Sequence, residues 1–209
     1  MRAVLVAALG LALAGCFGTQ IFPSLQEQRN GLRPGDLEAG GIAFITPSTV
    51  TGLEQETQAV ALTFAEVLRQ RRPALRVMTL AETLGAVNRA KLGDAYKHMY
   101  NDYRDTGLFS ADVLRKVGGA TGARYVVQLK LQGFEQGSRD RFGLLGFRIM
   151  ETKYAHIRVF LQIWDSRDST IVWEGMQELR QATDTMTEEP VTLRAVLERT
   201  AQDLVARLP

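Results

Sequence analysis

The chain has 209 residues, of which 45% are hydrophobic and 23% are charged, and its formal net charge is +2. This length is sufficient for one domain with a hydrophobic core of its own. The near-neutral charge balance argues against nucleic-acid binding, which usually requires a strongly basic surface.

The first residues have the parts of a secretory signal. Arg2 supplies a positive charge, residues 3–13 are an apolar run, and Ala14 and Gly15 are the small residues that a signal peptidase requires. The apolar run is shorter than the roughly 20 residues that a membrane-spanning helix needs. Cys16 follows directly and is the only cysteine of the chain.

The sequence Leu13-Ala14-Gly15-Cys16 resembles a bacterial lipobox, at which a lipoprotein precursor is acylated on its cysteine and cleaved before it. The resemblance implies a signal peptide at 1–15 and a lipidated Cys16 that carries enough acyl chains for stable anchoring. It leaves no thiol for a disulfide. Because Phe17 and not Asp follows Cys16, it also implies the outer membrane, with the domain facing the periplasm. The alternative is an uncleaved anchor, or an ordinary signal with a chance cysteine.

Residues 16–40 contain glycine and proline at short intervals and have no sustained hydrophobic period. We therefore expect a lipid anchor and flexible tether over 16–40, followed by a periplasmic α/β domain at 41–209. The sequence leaves one alternative open, in which part of the tether packs on the domain through Ile21, Phe22 and Leu25.

From residue 41 the chain alternates short apolar runs with helical patterns. The runs at 42–45 and 75–78 predict two short strands. Hydroxyl and acid residues at capping-box spacing, Thr51 with Glu54 and Thr79 with Glu82, predict the starts of two helices. Two more helices are expected before Gly122, which is placed to end the last of them.

After Gly122 the hydrophobic period changes from helical to alternating. Residues 125–131 and 155–163 alternate apolar and polar side chains, as half-buried strands do, and a short turn at 165–169 leads into a third strand at 170–177. A final helix is expected with Pro190 in its first turn. The pattern predicts an α/β fold, with a mixed sheet of about five strands, a long antiparallel C-terminal hairpin and helices packed on it.

This order of elements resembles the amino-terminal domain of the TolB protein, and the core of the curli secretion channel lipoprotein. Gly122-Ala123-Arg124-Tyr125-Val126-Val127 is similar to the family's Gly-Ala-Asp-Tyr-Val-Val strand, although Arg124 replaces Asp. The hairpin with Leu161-Gln162-Ile163-Trp164-Asp165 and Ile171-Val172-Trp173 resembles the family's strand, Asp, turn and Trp-containing strand. The opening helix at 53–71 is similar as well.

No pattern in the sequence indicates catalysis. His98 and His156, the two histidines, lack metal-ligand spacing, and no nucleophile elbow is present. The glycines at 118–122 suit a helix end better than a phosphate loop. Asp102, Asp105 and Arg104 suit a solvated helix end, and Tyr96, Tyr100 and Tyr103 suit packing better than a ligand platform. We therefore expect no enzyme activity, no cofactor and no metal.

One apolar segment lies between polar flanks, within a hairpin arm at 133–153. Residues 142–150 include Phe142, Leu144, Leu145 and Phe147. An exposed apolar patch is typical of an interaction site, so we expect this tip to contact a partner, a second copy or the membrane interface. The tip is too short for a pore wall. The alternative is a loop that folds back over the domain's own sheet.

Together these features predict a non-enzymatic cell-envelope lipoprotein, a scaffold or assembly partner of an envelope or secretion complex. It would be held at the membrane through its lipid and bind an envelope protein or itself. Two alternatives belong to other classes, a hydrolase of envelope polymers and a subunit of an oligomeric secretion channel.

Overall fold

The computed structural model describes residues 19–50, 52–144, 147–185 and 190–209. The predicted α/β fold is confirmed, since a mixed sheet is flanked by α-helices. The sheet has seven strands and not about five, because the sequence did not indicate β1 or β3. The strands are β1 (Thr19–Arg29), β2 (Ile42–Phe44), β3 (Ser48–Thr49), β4 (Val77–Met78), β5 (Tyr125–Leu144), β6 (Phe147–Asp165) and β7 (Thr170–Thr185).

Six α-helices and a short 3-10 turn occur within the described residues. The α-helices are α1 (Asp36–Gly40), α2 (Thr57–Arg71), α3 (Leu80–Arg89), α4 (Gly93–Thr106), α5 (Ala111–Thr121) and α6 (Leu193–Val205). No helix in this described part is both long and apolar enough to cross a membrane.

The strand order across the sheet is β1-β7-β6-β5-β2-β4, with β3 paired to β5. The neighbouring strands β1, β7, β6 and β5 are antiparallel to one another. The short strands β2, β3 and β4 pair in parallel, β2 and β3 with β5 and β4 with β2. The short strands and helices α1 to α5 lie at one end of the sheet, which we call the base. The hairpin of residues 133–144 and 147–158 extends away from the base, and we call it the arm.

A hydrophobic cluster lies on each face of the base. On one face α2 and α6 pack against the sheet around Phe44, Phe64 and Trp173, all fully buried. On the other face α3, α4 and α5 form a second cluster. Its centre is an aromatic group, in which the Tyr103 ring stacks on Phe109 with centroids 4.2 Å apart and Phe109 meets Trp164 edge-on at 4.9 Å.

The predicted tether is wrong for the described residues of 16–40. Thr19–Arg29 forms β1, which is hydrogen-bonded to β7 over its whole length, and Asp36–Gly40 forms α1, whose Leu37 is fully buried. The structure therefore has the alternative arrangement, in which this segment packs on the domain. Leu25 packs against the main cluster, whereas Ile21 and Phe22 are 39% and 60% exposed.

Helix boundaries follow local hydrogen bonding. The capping box of Thr79 and Glu82 is confirmed at the start of α3, and Gly122 ends α5 in the left-handed conformation, with φ 64°. Thr51 lies outside the described residues, and α2 begins at Thr57 after the 3-10 turn. Pro190 is not in the first turn of α6, because the side chain of Thr192 caps that helix by accepting from the Ala195 N–H.

Candidate interaction surface

One face of the sheet formed by β1, β7, β6 and β5 is not covered by the described helices beyond the base. Along β6 the side chains of Ile157, Val159 and Leu161 are fully buried on one face, while the residues between them are half-buried or exposed. The second hydrophobic cluster reaches no farther along β6 than Trp164. The sheet therefore presents a solvent-accessible face, which we call the open face. It consists of Phe22, Tyr154, His156, Arg158, Phe160, Met176, Glu178, Arg180 and Ala182.

The strand register determines which of these residues are neighbours. His156 pairs with Arg180, and Arg158 pairs with Glu178, across β6 and β7. Phe22 of β1 pairs with Arg180 in turn. Side chains directly opposite on one face of a sheet are close enough to interact. β1 and the β6–β7 hairpin, which are distant in sequence, thus contribute to one surface.

Charged groups at the centre of the open face converge on Glu178. Its carboxylate accepts from Arg158 Nη2 and Arg180 Nη2 at 2.8 Å, and His156 Nε2 lies 2.9 Å from Oε1. The hydrogen bonds from Arg158 and Arg180 lower the pKa of Glu178 to about 2, with a further contribution from His156. A carboxylate of such low basicity is a poor general base, so the cluster orders the face and does not suit proton transfer.

An apolar groove adjoins this cluster. It has a volume of about 480 Å³ and is lined by Phe22, Tyr154, Ala155, His156, Arg180, Gln181 and Ala182. The Tyr154 ring lies over Gly137, where a Cβ would stand 2.6 Å from the Tyr154 hydroxyl oxygen. The Arg139 guanidinium lies 5.6 Å from the centre of the same ring. Exposed Phe, Tyr and Arg side chains are the types enriched in protein–protein interfaces.

β1 forms one edge of the sheet. The Asn30 N–H donates to the Val172 carbonyl, and the register runs without interruption to Thr19. Since successive residues of a strand point their amides to opposite sides, the amide positions of odd-numbered residues in β1 face away from β7. Pro23 occupies one of these outward positions, where its missing N–H removes no hydrogen bond from the sheet.

The residues predicted for the interaction tip lie at the far end of the arm. Phe142 and Leu144 belong to β5 and Phe147 to β6, with Leu144 paired to Phe147. Their segments are paired as strands up to Leu144 and Phe147, and the contact made by this tip stays a prediction. Leu145 and Cys16, the predicted lipidation residue, lie outside the described residues.

The tyrosines of α4 are structural, as the sequence suggested. Tyr96 lies 2.9 Å from the Thr46 hydroxyl, Tyr100 donates to the Pro47 carbonyl, and Tyr103 donates to Gln162 Oε1. Burial, with the nearby charge of Glu174, raises the pKa of Tyr103 to about 12, so it remains a neutral donor.

Other candidate catalytic residues do not form a site. His98 is exposed on α4, and Arg104 and Asp105 form an exposed ion pair of 3.5 Å at the end of that helix. The described part of the chain contains no group of three or more His, Cys, Asp or Glu placed to bind a metal. Among the described residues, the open face is therefore our best candidate for an interaction site. Sequence reasoning placed His156 on the polar face of its strand but did not identify its partners.

The sequence matches no known family model and no curated protein. Among solved structures, the chain resembles the PelC dodecamer from Paraburkholderia phytofirmans, with 13% identity and a TM-score of 0.46, over 90% of this chain and 94% of that one. It also resembles lipoprotein GNA1162 from Neisseria meningitidis, with 14% identity and a TM-score of 0.42 over 80% and 98%. The rare lipoprotein B from Shewanella oneidensis is similar at 9% identity and a TM-score of 0.34, over 79% and 89%.

All three TM-scores are below 0.5, so no family or function is assigned from them. The resemblance to the TolB amino-terminal domain stays a prediction.

Proposed function

We propose that this chain is a non-enzymatic lipoprotein of the cell envelope, lipidated at Cys16 and held at the outer membrane. In this role it is a scaffold that binds an envelope protein. The lipobox supports the anchor, and the composition of the open face supports the binding role.

The observation that carries the binding role is the exposed groove beside the Glu178 cluster. Phe22 is 60% exposed there, next to a groove of about 480 Å³. Arg158, Arg180 and His156 are held in place by Glu178, so a partner meets a surface that is already ordered. Preordered side chains lose less conformational entropy on binding than free ones do.

The same cluster argues against the hydrolase alternative. Glu178 is the carboxylate that contacts His156, and its oxygens also accept from Arg158 and Arg180, so it does not orient His156 alone. The positions opposite His156 are Glu135 and Arg180, neither of which is a nucleophile of the serine or cysteine type.

Site-specific photocrosslinking in intact cells tests the proposal. A photoreactive phenylalanine analogue at Phe22 is expected to crosslink to an envelope protein. The matched control is the same analogue at Leu62, an apolar residue of α2 that is 54% exposed. Ala182→Glu places a charge in the groove and is expected to abolish the Phe22 crosslink. Equal crosslinking at Phe22 and Leu62, or a Phe22 product that persists in Ala182→Glu, would contradict the proposal.

A further inference from the structure

The outer edge of β1 is a row of backbone groups that no described strand pairs with. β1 is the first strand in the order of the sheet, and β7 is its neighbour on the inner side. The amides of its odd-numbered residues face away from β7, and ten of its eleven residues are exposed. An unpaired edge of this length is a template for a further strand.

β1 has few of the features that protect an edge strand from pairing. Its register with β7 is uninterrupted, whereas the β5–β6 and β6–β7 pairings contain register shifts. It contains no lysine, and its two charged residues, Glu27 and Arg29, are paired with each other at 3.0 Å. Apolar Ile21 and Phe22 are exposed along it. Pro23 is the one protective residue, because it offers no N–H to a neighbouring strand.

The backbone of β1 is complementary to itself in the register that pairs the whole strand. When two copies pair in antiparallel fashion with full overlap, a twofold axis passes beside Ser24, the middle residue of Thr19–Arg29. Odd-numbered residues then meet odd-numbered residues, so their outward amides and carbonyls can exchange hydrogen bonds. Pro23 meets Leu25 of the second copy, and each copy lacks only the hydrogen bond of the proline nitrogen. Any other antiparallel register shortens the overlap.

The side chains are compatible in the same register. The residues that face each other across the two copies are Ser24 with Ser24, Pro23 with Leu25, Phe22 with Gln26, Ile21 with Glu27, Gln20 with Gln28, and Thr19 with Arg29. Like charges do not meet in any of these pairs, and like charges directly opposite would destabilise the sheet. The smallest side chain, Ser24, lies at the axis, where a non-hydrogen-bonded pair brings two Cα atoms to about 4.5 Å.

The groove beside Gln26 suits the side chain that this register places next to it. Gln26 lines a groove of about 290 Å³ together with Phe160 and Met176 of the open face. Phe22 of the second copy would stand opposite Gln26, at the rim of this groove. The pairing therefore gives an exposed aromatic ring an apolar neighbour that its own copy does not provide at the edge.

We propose that two copies of this chain pair through the outer edge of β1, antiparallel and with the twofold axis at Ser24. The two sheets become one continuous sheet, and the two open faces lie side by side. An envelope protein with two matching segments would engage both faces, and linked sites bind more tightly than one site does. The inference goes beyond the proposed function, and it does not depend on the lipid anchor.

Disulfide crosslinking tests the partner and the register together. Cells that produce the full chain are lysed in detergent and oxidised with copper phenanthroline. Ser24→Cys places two thiols at the axis, and a Cα separation of about 4.5 Å is one that a disulfide spans. We expect a disulfide-linked dimer that reduction converts to monomer. The strand of another protein would instead give a product of a different mass.

Gln20→Cys and Gln28→Cys are the matched controls, since both residues are exposed on the same strand. In the proposed register Gln20 faces Gln28 of the second copy, and each lies roughly 27 Å from its own counterpart at the usual strand rise. Each variant alone should therefore remain monomeric. The two variants produced together should form a mixed dimer, which also tests the register if Ser24→Cys does not fold.

We expect the Ser24→Cys dimer to be at least ten-fold more abundant than the dimer of either control variant alone. Equal dimerisation of Gln28→Cys alone would indicate random collision and overturn the inference. Absence of both the Ser24→Cys dimer and the mixed dimer, or a Ser24→Cys disulfide to another protein, would also overturn it. A dimer of the wild-type chain through Cys16 would show that the lipid is missing, which is a failure of the proposed function, and the same variants are then compared in Cys16→Ser.

Discussion

Thr19 and Thr183 face each other across β1 and β7, with their hydroxyl oxygens 3.2 Å apart. This pairing fixes the amino-terminal end of β1 to the part of the sheet beyond the helices. β1 then runs back toward the base, where Arg29 pairs with Trp173. The sequence predicted this strand to be part of a flexible tether.

The Glu178 cluster predicts an acid-sensitive contribution to stability. The pKa of Glu178 is lowered from its usual 4.5 to about 2 in the folded protein. Because the folded value is the lower one, the contribution is present above about pH 4.5 and is lost as the pH falls toward 2. Glu178→Gln should lose less unfolding free energy between pH 7 and pH 3 than the wild type does, as measured by urea titration. Glu198→Gln, exposed on α6, is the control, and an unchanged loss in Glu178→Gln would contradict this assignment.

Breaking the ion pair between Arg124 and Asp165 at the base should lower the stability of the fold. Arg124 Nε donates to Asp165 Oδ2 at 2.8 Å, and the Asp165 side chain is only 4% exposed. Arg124→Met should lower the unfolding free energy by about 2 kcal/mol, because among the described residues it leaves the buried carboxylate with one donor, the Arg167 N–H. Adding Asp165→Asn should recover part of this loss in chemical denaturation, since a neutral amide is less costly to bury. No recovery would mean that the charge is not the cause.

Two adjacent glycines of α5 should respond in opposite directions to the same substitution. A Cβ at Gly118 would stand 2.7 Å from the Cβ of buried Ser166, whereas a Cβ at Gly119 meets nothing within 4 Å. Gly118→Ala should destabilise by about 1–3 kcal/mol through overpacking. Gly119→Ala should stabilise by up to about 1 kcal/mol, because alanine favours the helix. Thermal unfolding distinguishes them, and a shift of the same sign in both would argue against close packing of α5 on the β6–β7 turn.

Two proline substitutions in the edge strand β1 form a second matched pair. The Ser24 amide faces β7, whereas the Ile21 amide faces away, as follows from the Asn30 hydrogen bond and the unbroken register. Ser24→Pro should lower the melting temperature, because it removes a hydrogen bond of the sheet. Ile21→Pro should have a much smaller effect, as natural Pro23 does. Equal losses would mean that β1 is paired in a different register.

The sequence predicted the strands whose one face is buried. β6 alternates fully buried and half-exposed side chains from residue 155 to 163, so its hydrophobic period is visible without a structure. β1 has no such period, because ten of its eleven residues are exposed and only Leu25 is half-buried. Its strand conformation comes from pairing with β7, about 150 residues away, and local pattern carries no information on that pairing.

The open face was unpredictable for the same reason. Glu178 is 22 residues after His156, and Phe22 belongs to another part of the chain. They become neighbours only through the register of β6, β7 and β1. Their polar or mixed character resembles that of any solvated strand face, so composition alone does not distinguish them.

Mass spectrometry of the amino-terminal peptide from the mature protein tests the central claim, a lipid-anchored envelope protein, most directly. We expect a mature chain that begins at Cys16, with a diacylglyceryl group on its sulfur and an acyl chain on its amine, and with no residue before it. In cells grown with radiolabelled palmitate, the label should enter the wild type and not Cys16→Ser. A mature chain that retains residues 1–15, or that has a free thiol at Cys16, would contradict lipid anchoring.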